Sequence, residues 1–307
     1  MATEYSSPLV SVVMGVRNSA DTLPSTLASL TDQLGVDFEI VVVNDGSSDA
    51  TGEILADLAG QDARLRVVTR PGQGLTRSLI DGCALARGTF IARQDAGGDR
   101  SLPGRLARQV FCLEEHPEAS LCSSHARLVV PEGATAAINT VDETTLADGL
   151  TGPAYHGSVM MRRSTYEQAG GYRAAFYYAQ DIDLWSRMVE LGPHLVVPEV
   201  LYEATLSPDS ISGSRRQEQQ QFHALIVGAT EARRSGDSEQ PWLAEAEALS
   251  ERCRHAPRNP RREAAGAYFI GACLLDEHPD LARSYLLQAV KLNPWHWKAR
   301  LKLSRLR

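Results

Sequence analysis

The chain has 307 residues, 43% of them hydrophobic, with a net charge of −7. That length buries a substantial core and fits one large domain or a domain of about 200 residues with an appendage. No apolar run is long enough to span a bilayer, no basic stripe suggests nucleic acid, and the five cysteines (Cys83, Cys112, Cys122, Cys253, Cys273) form no Cys-x-x-Cys pair. The N-terminal residues lack a basic region followed by an apolar stretch, so a cytoplasmic enzyme with buried free thiols is expected. Charge is unevenly spread: residues 1–213 hold 15 Arg against 27 Asp/Glu, whereas residues 214–307 hold 16 Lys/Arg against 11.

In chain order, Val10–Met14 reads as a buried strand, followed by a turn and a helix with Leu23, Leu27, Leu30 and Leu34 at helical spacing. A second strand, Glu39–Val43, ends at Asp45-Gly46, and Asp49 caps a second helix. A short strand at Arg64–Thr69, a Gly-bounded helix within Gly72–Gly88, and a strand at Thr89–Arg93 delivering the Gln94-Asp95 turn complete a βαβα rhythm. That rhythm predicts an α/β fold with a mostly parallel sheet flanked by helices.

Beyond Pro103 the spacing predicts a helix over Arg105–Glu115, a strand at Ser120–Ser123 and a loop over Pro131–Gly152. Next come a strand at His156–Arg163, a helical turn at Ser164–Ala169, a helix at Gln180–Leu191, and strands at His194–Val197 and Leu201–Ala204. A boundary near residue 213 separates this region from an all-α segment, residues 214–307. There Ala282, Leu286, Ala289 and Pro294 match the second half of a tetratricopeptide repeat, with two helices capping the first domain as the alternative.

Asp45, Asp95 and Asp181 each begin or end an element at one sheet edge in this topology. Singly, each is a turn former or a cap. Together they offer acceptors for a base, for a divalent ion beside a diphosphate, and for a proton from an incoming hydroxyl.

In sequence the chain resembles the family 2 glycosyltransferases of the GT-A fold. The resemblance runs from about Pro8 to Leu206. It is carried by Val41-Val-Val-Asn-Asp-Gly-Ser-Ser-Asp49, Gly74-Leu-Thr-Arg77, Ile91-Ala-Arg-Gln-Asp95, Leu102-Pro103 with Arg105-Leu106, His156-Gly-Ser-Val-Met160, Gly170-Gly-Tyr172 and Gln180-Asp-Ile-Asp-Leu-Trp185, in the family's order.

It implies inverting transfer from a nucleoside-diphosphate sugar, UDP-linked, to a hydroxyl of a glycan or lipid-linked acceptor in cell-surface polysaccharide or glycolipid assembly. By the same resemblance Val16, Arg17, Asn18, Asp45, Arg77, Gln94 and Asp95 bind the donor and Asp181 is the catalytic base. His156 and Trp185 are candidates for the acceptor side, since an indole face packs against a sugar ring, with Trp185 as a core residue of its helix the equal alternative. Arg17 stands where the family usually has Tyr, and its guanidinium plane can stack on a base. Gln180 replaces a usual Glu. Asp95 opens the Asp-x-Asp motif for Mn²⁺ or Mg²⁺, but position 97 is Gly. Either Asp99 supplies the second carboxylate across Gly97 and Gly98, or the phosphates lean on Arg77, Arg93 or Arg100.

Two other readings compete. A nucleotidyltransferase needs a Gly-rich, Lys/Arg-bearing loop after the first strand, which is missing. A catalytically degenerate GT-A protein would use the altered Asp95–Asp99 loop only for nucleotide-sugar binding or scaffolding. Finally, residues 279–307 suit a protein contact or peripheral docking at the inner membrane face, because Trp295, Trp297, Leu301, Leu303 and Leu306 interleave with Lys and Arg.

Overall fold

The computed structural model describes residues 7–140, 144–147, 150–208, 215–255 and 259–306. Strands β1 (Val10–Val16), β2 (Phe38–Asp45), β3 (Leu65–Arg70) and β4 (Phe90–Arg93) are parallel, in the order β3-β2-β1-β4. Crossover helices α1 (Leu23–Thr31), α2 (Thr51–Gln61) and α3 (Leu75–Leu85) join them. The chain thus turns in opposite directions on either side of β1, which opens a crevice at the carboxyl ends of β1 and β4.

Beyond β4 the sheet becomes mixed. Strand β10 (Met160–Arg162) runs antiparallel to β4 and to β6 (Leu121–Val129), and β11 (His194–Thr205) runs parallel to β6. The short β5 (Arg100–Ser101) closes the far edge and β7 (Thr135–Asn139) pairs with β6. Helix α4 (Arg105–Glu115) lies before β6, while α5 (Arg163–Gln168) and α6 (Gln180–Met188) lie between β10 and β11.

Strand alternation divides the core. Val10, Val12, Met14, Ile40, Val42 and Ala92 pack under Leu27 and Leu30 of α1, Leu55 of α2 and Leu106 of α4. Val13, Val41 and Ile91 face the other way, under Leu79 of α3 and Leu184, Trp185 and Met188 of α6.

Three expectations are corrected. The stretch Pro131–Gly152, read as a loop, contains β7 and a separate pair of strands, β8 (Thr144–Ala147) and β9 (Leu150–Gly152). The strand expected at His156–Arg163 is shorter: His156–Ser158 form a 3₁₀ turn and only Met160–Arg162 pair. The turn passes so close to β11 that a Cβ at Gly157 would lie 1.9 Å from the Tyr202 hydroxyl. The two strands expected near 194–204 are one, with register shifts around Pro198, which has no N–H to donate.

In the all-α segment, α7 (Arg216–Ser235) and α8 (Gln240–Arg254) share a core with residues 175–182. Phe222, Ile226 and Leu249 pack with Phe176, Tyr178 and Ile182. Ser250 Oγ donates to the Ala175 carbonyl at 2.6 Å and accepts from the Tyr177 N–H at 2.9 Å. Helices α9 (Pro260–Cys273) and α10 (Pro279–Leu292) pack tightly, and Ala282, Leu286 and Ala289 are all buried. Ile270, Leu274 and Tyr285 cover Val130 beside β6, and Ala299 of α11 (Trp297–Arg305) closes the stack.

Candidate active site

The carboxyl ends of β1, β2 and β4 open into a cleft of about 880 Å³. One wall, beside β1 and β2, is built by short side chains tied to nearby backbone. The Asn18 side chain accepts from the Ser48 N–H at 2.8 Å, Ser47 Oγ accepts from the Asn18 N–H at 3.0 Å, and Thr51 Oγ1 accepts from the Ser19 N–H at 2.8 Å. Asn18 itself takes a positive φ of 50°, a conformation Asn tolerates better than most residues. Asp45, at the end of β2, accepts from the Gln73 and Gly74 N–H groups, both at 2.8 Å, and so fixes the start of α3. The Arg17 guanidinium lies over Gly72, where a Cβ would stand 3.1 Å from Nη1.

The opposite wall rests on buried ionic groups. Arg93 is fully buried; its Nη2 donates to Asp95 Oδ1 at 2.7 Å and its Nε to His156 Nε2 at 3.1 Å, while Nη1 reaches the Val13 carbonyl. Tyr172 donates its hydroxyl to the same His156 nitrogen at 2.6 Å. Arginine has only donors, so Nε2 is an acceptor and His156 is a neutral imidazole protonated on Nδ1. Burial and the Arg93 charge push its pKa well below the usual imidazole range, in agreement with that assignment.

Asp181 lies in the first turn of α6, where Ile182 N–H donates to Oδ1 at 3.0 Å. Burial pushes its carboxyl up to about 6, with Asp95 adding to the rise. The preceding Ala179 has φ +58°, unusual for a residue with a Cβ, and it sets the entry of α6 into the cleft. A carboxylate titrating this close to neutrality is suited to accept a proton.

Val16, Arg17, Asn18, Asp45, Asp95, His156 and Asp181 all line the cleft. Four other sequence candidates lie elsewhere. Arg77 is exposed on the first turn of α3, away from the cleft lining. Gln94 is buried: Oε1 accepts from Ser101 Oγ at 2.8 Å and Arg105 Nη1 at 3.2 Å, so it braces the Asp95 turn from behind. Trp185 is 1% exposed and sits edge-on to His156 at 5.8 Å, because its place on α6 faces the sheet.

Asp99 is also turned away. Its oxygens accept from the Tyr202 hydroxyl at 2.9 Å and the Thr205 N–H at 2.8 Å, which anchors the glycine-rich turn to β11. Burial and Asp95 raise its pKa.

Tyr202 and Arg105 escaped the sequence reading as site residues. The Tyr202 hydroxyl also accepts from the Asp95 N–H at 3.2 Å. Arg105, fully buried, donates to the Arg93 carbonyl at 2.8 Å and stacks over the Tyr202 ring at 5.0 Å. Arg105 stood in a quoted motif, so its identity was available; Tyr202 had no local signal, being more than a hundred residues from Asp95.

Comparison with known proteins places this geometry. The profile of Glycosyl transferase family 2 matches residues 11–168. A putative glycosyltransferase, EpsE of Bacillus subtilis, is 34% identical over 195 residues, covering 61% of this chain and 69% of that one. Chondroitin synthase of Pasteurella multocida is 25% identical over 234 residues, 72% of this chain but 23% of that larger protein.

Among solved structures, S. aureus TarS 1-349 in complex with UDP superposes with a TM-score of 0.57 at 15% identity, covering 96% of this chain and 90% of that one. The mannosyltransferase PcManGT from Pyrobaculum calidifontis, in complex with GDP-Man and Mn²⁺, gives 0.57 at 19% identity, covering 98% and 85%. These two likenesses identify the fold as GT-A. The family model covers just over half of the chain, and EpsE, at 34% identity, is covered to 69% of its length; the chain belongs to glycosyl transferase family 2.

Proposed function

We propose that the protein is an inverting glycosyltransferase that moves a sugar from a nucleoside diphosphate, UDP by preference, to a hydroxyl of a glycan or lipid-linked acceptor. The observation that carries this reading is the pairing of Asp95 and Asp181 in one cleft. One carboxylate is held by a buried arginine; the other is left short of donors and raised toward neutrality. Likeness to a chondroitin synthase and a hyaluronan synthase supports polysaccharide assembly as the setting.

The residues fit a divalent ion that arrives with the donor. Asp95 gives one oxygen to Arg93, yet its side chain is 31% exposed and lines the cleft, which leaves the other oxygen available. Among the described residues no three carboxylates, histidines or cysteines form a cage. Mg²⁺-type sites of one or two carboxylates plus substrate phosphates need none. Charge also requires a counterion: the cleft is lined by Asp21, Asp45, Asp49, Asp95 and Asp181 against Arg17. When bound, the ion neutralises the leaving diphosphate.

Asp181 then takes the proton of the acceptor hydroxyl. The hydroxyl oxygen bonds to the anomeric carbon as the bond from that carbon to the diphosphate oxygen breaks, and the configuration inverts. Arg17 stacks on the base while Asp45 holds the 73–74 backbone beside it. Arg93, Tyr202 and Gln94 keep the Asp95 turn in place.

The test is a thermal-shift series with UDP, GDP, CDP and dTDP, each with and without Mn²⁺. One nucleotide is expected to raise Tm only with Mn²⁺, while Mn²⁺ alone leaves it unchanged, because ligand binding to the native state stabilises it. No shift with any nucleotide would sink the donor assignment. A shift without sugar transfer or donor hydrolysis would favour the binding-module reading.

A further inference from the structure

The outer face of the C-terminal stack carries a feature the cleft does not use. Trp295 is 86% exposed, Trp297 65%, Leu287 48% and Leu301 45%. Leu287 and Lys291 are one turn apart on α10, and Trp297 and Leu301 one turn apart on α11, so each pair shares a face of its helix. Lys298 Nζ stands 5.6 Å from the Trp297 ring centre. From Arg283 onward the chain has seven Lys/Arg and no Asp/Glu. Among the described residues, Arg283, Lys291, Lys298, Lys302 and Arg305 have no carboxylate partner.

We propose that this surface docks on an anionic lipid bilayer. Indole rings with an apolar body and one N–H donor prefer the headgroup layer, and neighbouring Lys and Arg add electrostatic attraction to anionic lipid. The absence of acidic residues after Arg283 favours a uniformly negative partner over a protein face, which usually mixes both signs. No helix of the described residues is long and apolar enough to cross a membrane, so the contact is peripheral. The stack is firmly joined to the enzyme: Tyr285 donates its hydroxyl to Glu132 at 2.9 Å, and Gly266 packs so closely on the Pro208 carbonyl that a Cβ would lie 2.3 Å from its oxygen. Pro208 follows Ser207, which lines the cleft, so the docking surface and the active site belong to one packed unit.

The test uses the full chain with vesicles of phosphatidylcholine alone or mixed equally with phosphatidylglycerol, some carrying brominated acyl chains. We expect co-sedimentation with the anionic vesicles only, release at high salt, and quenching of tryptophan fluorescence by bromine. Each basic residue near such a surface strengthens binding about fivefold. Lys291→Gln with Lys298→Gln is therefore expected to weaken partitioning at least tenfold, and Trp295→Ala with Trp297→Ala to abolish the quenching. All four side chains are exposed or nearly so, and unchanged Tm and donor hydrolysis would confirm that fold and site are intact. Absence of binding to anionic vesicles, equal binding to neutral ones, or full binding by the tryptophan variant would overturn the proposal. So would a concentration-dependent dimer that the tryptophan variant dissociates, since the occupant would then be a second copy of the chain.

Discussion

Glu39, buried in the sheet, and Asp181, half-buried where α6 meets the cleft, are carboxylates treated in opposite ways. Glu39, near the start of β2, accepts from Ser11 Oγ at 2.7 Å, Arg66 Nη1 at 2.7 Å and the Arg87 N–H at 2.9 Å. Burial raises its pKa, but Arg87, Ser11 and Arg66 together outweigh this and bring it down to about 2. Asp181 receives only backbone N–H groups, those of Ile182 and of its own residue, and burial carries it up to about 6. The amino end of the sheet is arranged for stability and the carboxyl end for reactivity, at some cost in stability.

Breaking the reactive end should have the largest effect. Asp181→Asn is expected to lower sugar transfer or donor hydrolysis by about a thousandfold, within the range for a general base. Nucleotide binding with Mn²⁺ should persist in a thermal-shift assay. Because the folded pKa lies above the usual 3.8, the stability cost of Asp181 builds as pH rises from about 4 to about 6 and is complete above that. The Asn variant should therefore be more stable than the parent at pH 8, with the gap closing below pH 4 in urea titrations.

Arg93→Met probes the support beneath Asp95. Removing one partner of a buried ion pair typically costs about 3–5 kcal/mol. Urea denaturation should show a loss of that size, together with loss of the Mn²⁺-dependent nucleotide shift. Preserved stability would mean that the network around Arg93 contributes little.

A smaller effect distinguishes the two carboxylates by pH. Donor turnover should rise about tenfold per unit below pH 6 as Asp181 loses its proton, then level off. Glu39→Gln should leave that profile unmoved and lower stability by about 2 kcal/mol at pH 7, as for a hydrogen bond to a charged group. Its folded pKa lies below 4.5, so the stability Glu39 supplies is present above pH 4.5 and fades as pH falls toward 2. The deficit of the Gln variant should fade with it.

The same contrast explains what could be read from the sequence. The wall built on β1 and β2 was legible because its parts are local: Asp45-Gly46 ends a strand, and Asp49, just before α2, accepts from the Thr51 N–H, although Ala50 and not Asp49 is the helix cap. The boundaries of α4 coincide with those expected, and the register Val13↔Val41 and Val13↔Arg93 follows from hydrophobic alternation. The other wall depends on partners far apart in sequence, such as Arg93 with His156 and Tyr202 with Asp99. No periodicity marks such pairs. Gln94 was placed at the cleft by motif, whereas the packing of β4 turns it inward, and for Trp185 the packing of α6 favours the core alternative. The irregular β11 was misread as two strands because Pro198 interrupts its alternation, although the chain continues to pair with β6 on both sides.

The most direct test of the central claim is an anomeric ¹H NMR time course of donor hydrolysis, with α-linked UDP-sugars and GDP-mannose, Mn²⁺ and water as the acceptor. The account expects the β sugar to appear first, before mutarotation, with a signal that vanishes in Asp181→Asn. Initial release of the α sugar, or undiminished release by the Asn variant, would contradict an inverting displacement with Asp181 as its base.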